Sequence, residues 1–148
     1  MNNFFPHKLR ALALLGIALL YLFNLSACQS QGLSIKEPWS RPTLKGANGA
    51  AYFQIVNNQN SEDRLLSVSG TIAEKIELHK SEIDTQGVMR MTPQESVLIP
   101  AGKTVPFEPG GLHVMLIHLS QELKRGETFP LTLHFEHFGD VQIEVEVP

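Results

Sequence analysis

The sequence predicts an all-β domain, a two-sheet sandwich or Greek-key barrel of about 8–10 short strands. Three observations predict it. Beyond residue 28, short apolar or alternating runs recur along the whole chain. The segments between them carry Gly, Pro, Asn or Asp, the residues that let a chain reverse. No run in that region repeats its apolar residues at the 3.6-residue period of a helix.

Taken in order, the expected strands cover 34–39, 50–57, 64–69, 73–80, 88–92, 97–99, 104–107, 112–119, 129–137 and 141–147. Turn-forming segments separate them at 45–49, 57–60, 84–87, 100–102, 109–111 and 138–140. The last hairpin shows the alternation best. Leu131, Leu133 and Phe135 fall on one face of their strand, and Thr132, His134 and Glu136 on the other. After Gly139-Asp140, Val141, Ile143, Val145 and Val147 alternate with Gln142, Glu144 and Glu146. Such strands bury one face and wet the other.

The first residues read differently. Lys8 and Arg10 precede an apolar run from Ala11 to Leu25, then Ser26-Ala27-Cys28. A basic segment, an apolar segment and small residues before a cleavage point make a secretory signal peptide. The run is short for a membrane-spanning helix, which needs about 20 apolar residues. Leu25-Ser26-Ala27-Cys28 resembles the lipobox of bacterial lipoproteins, which are cut before the cysteine and lipidated on its thiol. The expected organisation is therefore a signal peptide at 1–27, a lipidated Cys28 with its tether at 28–34, and one β domain at 35–148. The expected location is periplasmic, anchored to a membrane by the lipid. Gln29 after the cysteine, rather than Asp, favours the outer membrane in a Gram-negative cell. Without residues 1–27 the chain holds 10 basic and 15 acidic residues, net −5. It shows no Lys/Arg run, which argues against nucleic acid as a partner.

Chemistry concentrates at the histidines and methionines. His113 and Met115 lie two apart in the strand at 112–119, so they share a face while Leu112, Val114 and Leu116 fill the other. His79 stands near the end of the strand at 73–80, and Met89 and Met91 stand in the next one. A hairpin closing near Thr85 would set His79 directly opposite Met91 and Ser81 opposite Met89. A strand methionine is ordinarily a core filler, and a single histidine ordinarily a satisfied surface or core residue. Here, apart from Met1, every methionine lies at 89, 91 or 115, close to a histidine. Imidazole with thioether is a soft donor set suited to Cu(I). Zinc would prefer thiolate or carboxylate beside imidazole, and magnesium or calcium needs oxygen ligands.

The remaining features carry less. His118 falls on the face opposite His113 if its strand stays regular. His134 and His137, three apart, face opposite ways. Trp39 and Tyr52 read as core or rim aromatics. The sequence has no Gly-x-Ser-x-Gly, no glycine-rich phosphate loop, and no nucleophilic cysteine beside a histidine after Cys28. The expectation is a binding protein and not an enzyme.

On these residues the chain resembles the periplasmic copper chaperones called PCuAC. The resemblance rests on Gly49-Ala50-Ala51-Tyr52-Phe53, Glu77-Leu78-His79, Gly87-Val88-Met89-Arg90-Met91, Ile99-Pro100-Ala101-Gly102 and Pro109-Gly110-Gly111-Leu112-His113-Val114-Met115-Leu116. It includes the family's metal pattern: His79, then Lys80, ten residues, Met91, twenty-one residues, and His113-Val114-Met115. The resemblance implies a cupredoxin-like β-barrel that carries one Cu(I) through His79, Met91, His113 and Met115. Many members have a further methionine just after the first histidine. Lys80 and Ser81 stand here instead, and Met89 is the candidate auxiliary ligand. The implied partners are copper acceptors, a cytochrome c oxidase subunit with its CuA centre or a Sco-type thiol protein. A copper buffer or resistance lipoprotein would use the same site without an acceptor. A metal-free β-sandwich interaction lipoprotein would use its sheet surface.

Overall fold

The structure, a computed structural model, describes residues 32–148. The signal peptide, Cys28 and most of the tether lie outside the described residues. The strands are β1 (Leu33–Ser40), β2 (Gly49–Asn57), β3 (Asp63–Ser69), β4 (Ala73–Ile83), β5 (Met89–Pro93), β6 (Val97–Ile99), β7 (Thr104–Phe107), β8 (Leu112–Leu119), β9 (Thr128–Phe135) and β10 (Asp140–Glu146). All ten expected strands form. The main boundary differences are that β4 runs on to Ile83 and β9 ends at Phe135, two residues before the expected end.

The strand order is β5-β4-β8-β7-β2-β1-β10-β9-β3-β6, with β8 also pairing β2 directly. Most neighbours are antiparallel. The parallel pairs are β1 with β10 and β7 with β8. The alternation of β2, β9 and β10 translates directly into burial, with every second side chain turned inward. Phe53, Ile55, Leu65, Ile99, Val114, Leu116, Leu131, Leu133 and Val145 meet in one core. Phe53 and Phe107 stack there with ring centroids 4.6 Å apart.

Buried polar groups fasten the turns. Asn57 is fully buried between β2 and β3, where its Nδ2 donates to the carbonyls of Ser61 and Ile99. Its Oδ1 accepts from the Gln59 amide, so every capacity the turn needs is met. Asp63 is buried too, and its carboxylate accepts from the backbone N–H groups of Arg64, His137 and Phe138. It thereby holds the β9–β10 turn against the start of β3.

Two non-glycine residues with left-handed φ, Glu37 and His118, mark irregular places in β1 and β8. Glu37 takes a left-handed φ of 51°, and the β1–β2 register shifts between Lys36 and Trp39. That shift sets Trp39 opposite Tyr52, with ring centroids 4.8 Å apart. His118 takes φ 52°, so β8 does not stay regular there. The core positions of β8 accordingly pass from Val114 and Leu116 to Leu119. His118 is exposed, its amide donates to Asn48 Oδ1, and its ring faces Glu74.

A candidate soft-metal site on β4, β5 and β8

Period two puts Lys75, Glu77, His79 and Ser81 on one face of β4, and His113 and Met115 on the same face of β8. The β4–β8 ladder sets His79 opposite His113 and Glu77 opposite Met115. The two imidazole centroids are 5.8 Å apart. The β2–β8 pairing sets Ala50 opposite Met115, and Tyr52 lies 6.4 Å from the His113 ring.

The β4–β5 hairpin differs from the expected register by two residues. Met91 stands opposite Ser81, Met89 opposite Ile83, and Pro93 opposite His79. The reason lies in the turn. Asp84 and Val88 close a loop of Thr85, Gln86 and Gly87, with the Asp84 amide bonded to the Val88 carbonyl at 2.9 Å. Gly87 supplies the left-handed residue, φ 78°, that a three-residue hairpin loop requires. Asp84 Oδ1 accepts from the amides of Gln86 and Val88, and Oδ2 from Arg90 Nε at 2.9 Å. The Val88 amide first, and then the Arg90 guanidinium, hold the Asp84 carboxyl below its ordinary value. A two-residue slip preserves the face, so Met91 still shares a side with His79 but sits diagonally from it.

Met91, His113 and Met115 line a single open cleft of about 380 Å³, together with Met89, Tyr52, Ser81 and Arg41. Small residues, Gly49, Ala50, Ser81 and Gly110, complete its lining. The donors differ in depth. His113 is only 4% exposed, Met115 is half-buried, and Met89 and Met91 are exposed. His79 does not line the open cleft. It stands beside His113 with its side chain 14% exposed.

Hydrogen bonding assigns each ring its proton. Glu77 Oε2 lies 2.9 Å from His79 Nε2, and a carboxylate there accepts, so Nε2 carries the hydrogen. Glu77 in turn accepts from Lys75 Nζ at 2.5 Å. The Lys75 ammonium and then the His79 ring hold the Glu77 carboxyl below its ordinary value. His79 Nδ1 is left buried without any hydrogen-bond partner, the one such side-chain atom among the described residues. In His113 the roles are reversed, because Nδ1 donates to the Gly111 carbonyl at 3.1 Å and Nε2 keeps the lone pair. A buried imidazole nitrogen without a partner calls for an explanation, and a metal ion beside it supplies one. The donors present, two imidazoles and two or three thioethers, fit a soft monovalent ion. Among the described residues no three His, Cys, Asp or Glu side chains converge as a metal site.

Glu77, Ser81, Arg41 and the Trp39–Tyr52 wall are parts of this surface that a search for donor residues overlooks. Glu77 had a signal in the sequence, its place two residues before His79 on the same strand face. Arg41 had none. Lys80 lies on the opposite face of β4 and pairs with Glu82. Elsewhere, His134 Nδ1 donates to Asp140 Oδ1 and its Nε2 accepts from Ser69 Oγ, both at 2.7 Å. The spacing is that of a nucleophile, base and carboxylate. It lies on the exposed face of β3, β9 and β10 and ties those strands together, with Asp140 69% exposed.

The fold is that of a small cupredoxin-like β domain, with a surface cleft lined by the side chains of Met89, Met91, His113 and Met115. The sequence model of the family described as "Putative lipoprotein LpqE-like" matches residues 33–147, and the chain belongs to that family. An uncharacterized protein of Rickettsia prowazekii (strain Madrid E) is 32% identical over 116 residues, 75% of this chain. The chain spans only 64% of that relative's length. Among solved structures, the copper-bound PCuAC domain from PmoF2 superposes with a TM-score of 0.64 at 28% identity, covering 78% of this chain and 93% of that one. The apo PCuAC domain from PmoF1 gives 0.68 at 26% identity, covering 78% and 92%. The resemblance to PCuAC domains stated above therefore extends to the three-dimensional fold.

Proposed function

We propose that this chain is an extracytoplasmic copper chaperone that carries one Cu(I) on the β4–β5–β8 surface through His79, Met91, His113 and Met115, with Met89 as an auxiliary donor. The observation that carries this reading is the cleft where Met91, His113 and Met115 meet, beside the unpartnered Nδ1 of His79. The copper-bound state of a PCuAC neighbour of the same fold supports it. Thioether and imidazole donors favour the reduced ion. Transfer proceeds by ligand exchange. An acceptor's thiolate or imidazole binds the ion as the exposed Met91 sulfur leaves, and copper stays Cu(I) throughout, so no electron acceptor is needed.

The lipobox reading places the carrier outside the cytoplasm, tethered to a membrane through Cys28, and the lipoprotein description of its family agrees. The acceptor we propose is a cytochrome oxidase subunit carrying a CuA centre, or a Sco-type thiol protein serving it. An anaerobic Cu(I) titration tests the binding. One equivalent bound tightly supports the reading, and absence of tight one-to-one binding ends it. Transfer to an isolated CuA-bearing subunit separates a chaperone from a buffer, and Cys28→Ser should release the chain from the membrane fraction.

A further inference from the structure

Along one face of β4, three ionic or polar side chains follow at intervals of two: Lys75, Glu77 and His79. They form a chain of contacts, Lys75 Nζ to Glu77 Oε1 at 2.5 Å and Glu77 Oε2 to His79 Nε2 at 2.9 Å. A carboxylate offers lone pairs only, so the His79 hydrogen is committed to Nε2. Lys75 holds the carboxylate from its other oxygen, which leaves it little freedom to turn away. Across the ladder, the Gly111 carbonyl commits the His113 hydrogen to Nδ1. The two facing imidazoles are thus held in opposite tautomers.

We infer that Glu77 is a positioning residue which commits His79 to bind copper through Nδ1, while His113 binds through Nε2. This inference rests on the copper reading above and deepens it. Outer partners of this kind orient a metal-binding imidazole and raise its basicity, and losing one typically costs about 10–100-fold in metal affinity. The arrangement also accounts for the unpartnered His79 Nδ1. A neutral ring without a carboxylate on Nε2 could exchange tautomers or turn over, but here it is held with its lone pair on Nδ1. Glu77 stands directly opposite Met115, so it borders the donor set from the β4 side.

The test uses the full chain in detergent, ¹⁵N-labelled, with long-range proton–nitrogen spectra of the histidine rings recorded without and with Cu(I), which is diamagnetic. In the apo protein His79 should show a fixed Nε2–H tautomer and His113 a fixed Nδ1–H tautomer. Adding Cu(I) should shift His79 Nδ1 and His113 Nε2. Glu77→Ala should abolish the fixed His79 tautomer, leave that of His113 intact, and lower Cu(I) affinity by about 10–100-fold. Glu77→Gln keeps an oxygen acceptor and should retain the tautomer, with a smaller loss. A Glu77→Ala chain with unchanged tautomer and affinity overturns the inference. So does a Cu(I)-induced shift at His79 Nε2 in the wild type. A wild-type chain that takes up no Cu(I) overturns the copper reading itself, an outcome distinct from the other two.

Discussion

His79 and His113 face each other across β4 and β8, with ring centroids 5.8 Å apart. The two residues stand 34 positions apart in the sequence, and the whole of β5, β6 and β7 lies between them. Met91 and Met115 then flank this pair from different sides, Met91 on the exposed edge strand and Met115 toward β2. Copper bound here would be held by a buried histidine on one side and a solvent-exposed thioether on the other.

That depth gradient makes Met91 the donor to remove first. Its exposure means that Met91→Leu should change folding stability by no more than ~0.5 kcal/mol. Its Cu(I) affinity should nevertheless fall by more than about tenfold, since even outer partners of a metal ligand are worth about that much. Adding His113→Ala should deepen the loss. Competition titration against a Cu(I) chelator measures both, and an affinity unchanged in the double variant would falsify the ligand set.

Ser81 stands opposite Met91, lines the cleft and is almost completely buried. Ser81→Leu should fill the space between Met91 and His113. Overpacking of this kind costs about 1–3 kcal/mol, and Cu(I) affinity should drop with it. A chain that stays folded by its proton–nitrogen fingerprint yet binds copper as before would show that the ion does not sit over Ser81.

Asp84 ties the β4–β5 turn, and its carboxyl is held below the ordinary value of 3.8 by the Val88 amide and the Arg90 guanidinium. A depressed folded pKa contributes stability that is present above the unfolded value and lost as pH falls through the folded one. The Asp84 contribution should therefore be complete at neutral pH and disappear only below 3.8. Asp84→Asn should be less stable than the wild type at neutral pH, and the gap should close in strong acid. Denaturant midpoints across that range check it. A gap that persists unchanged in acid would mean that the Asp84 charge is not what holds the turn.

Asp63 offers a control remote from the proposed donors. Asp63→Ala strands three backbone donors near the β9–β10 turn and should cost about 2–4 kcal/mol. Cu(I) affinity of the folded fraction should stay at the wild-type level, because Asp63 and its partners, Arg64 on β3 and His137 and Phe138 in the β9–β10 turn, do not line the cleft. Loss of affinity together with stability would show that the cleft depends on the whole barrel and not on its own three strands.

How far these features were legible without a structure varies residue by residue. Each strand announced itself, because alternation of apolar residues is local and turn residues mark its ends. The shared face of His113 and Met115 followed from the same two-residue period. The partner of His79 did not. A hairpin across 84–87 made Met91 the natural neighbour, but a loop of three residues with Gly87 left-handed moves the register by two. The closer partner, His113, comes from a strand that returns much later in the chain.

By itself, the sequence determined the all-β class, the ten strands, and the side of each strand on which His79, Met91, His113 and Met115 lie. Backbone alternation is a property of a few consecutive residues, and no distant contact alters it. Only the tertiary structure decided which strands lie side by side, that His79 meets His113, and that Glu77 and Gly111 hold those two rings in opposite tautomers. It also decided that the Glu37 bulge turns Trp39 onto Tyr52. Strand neighbours are selected by burial of the whole core and by bulges that shift register, and both depend on residues far apart along the chain.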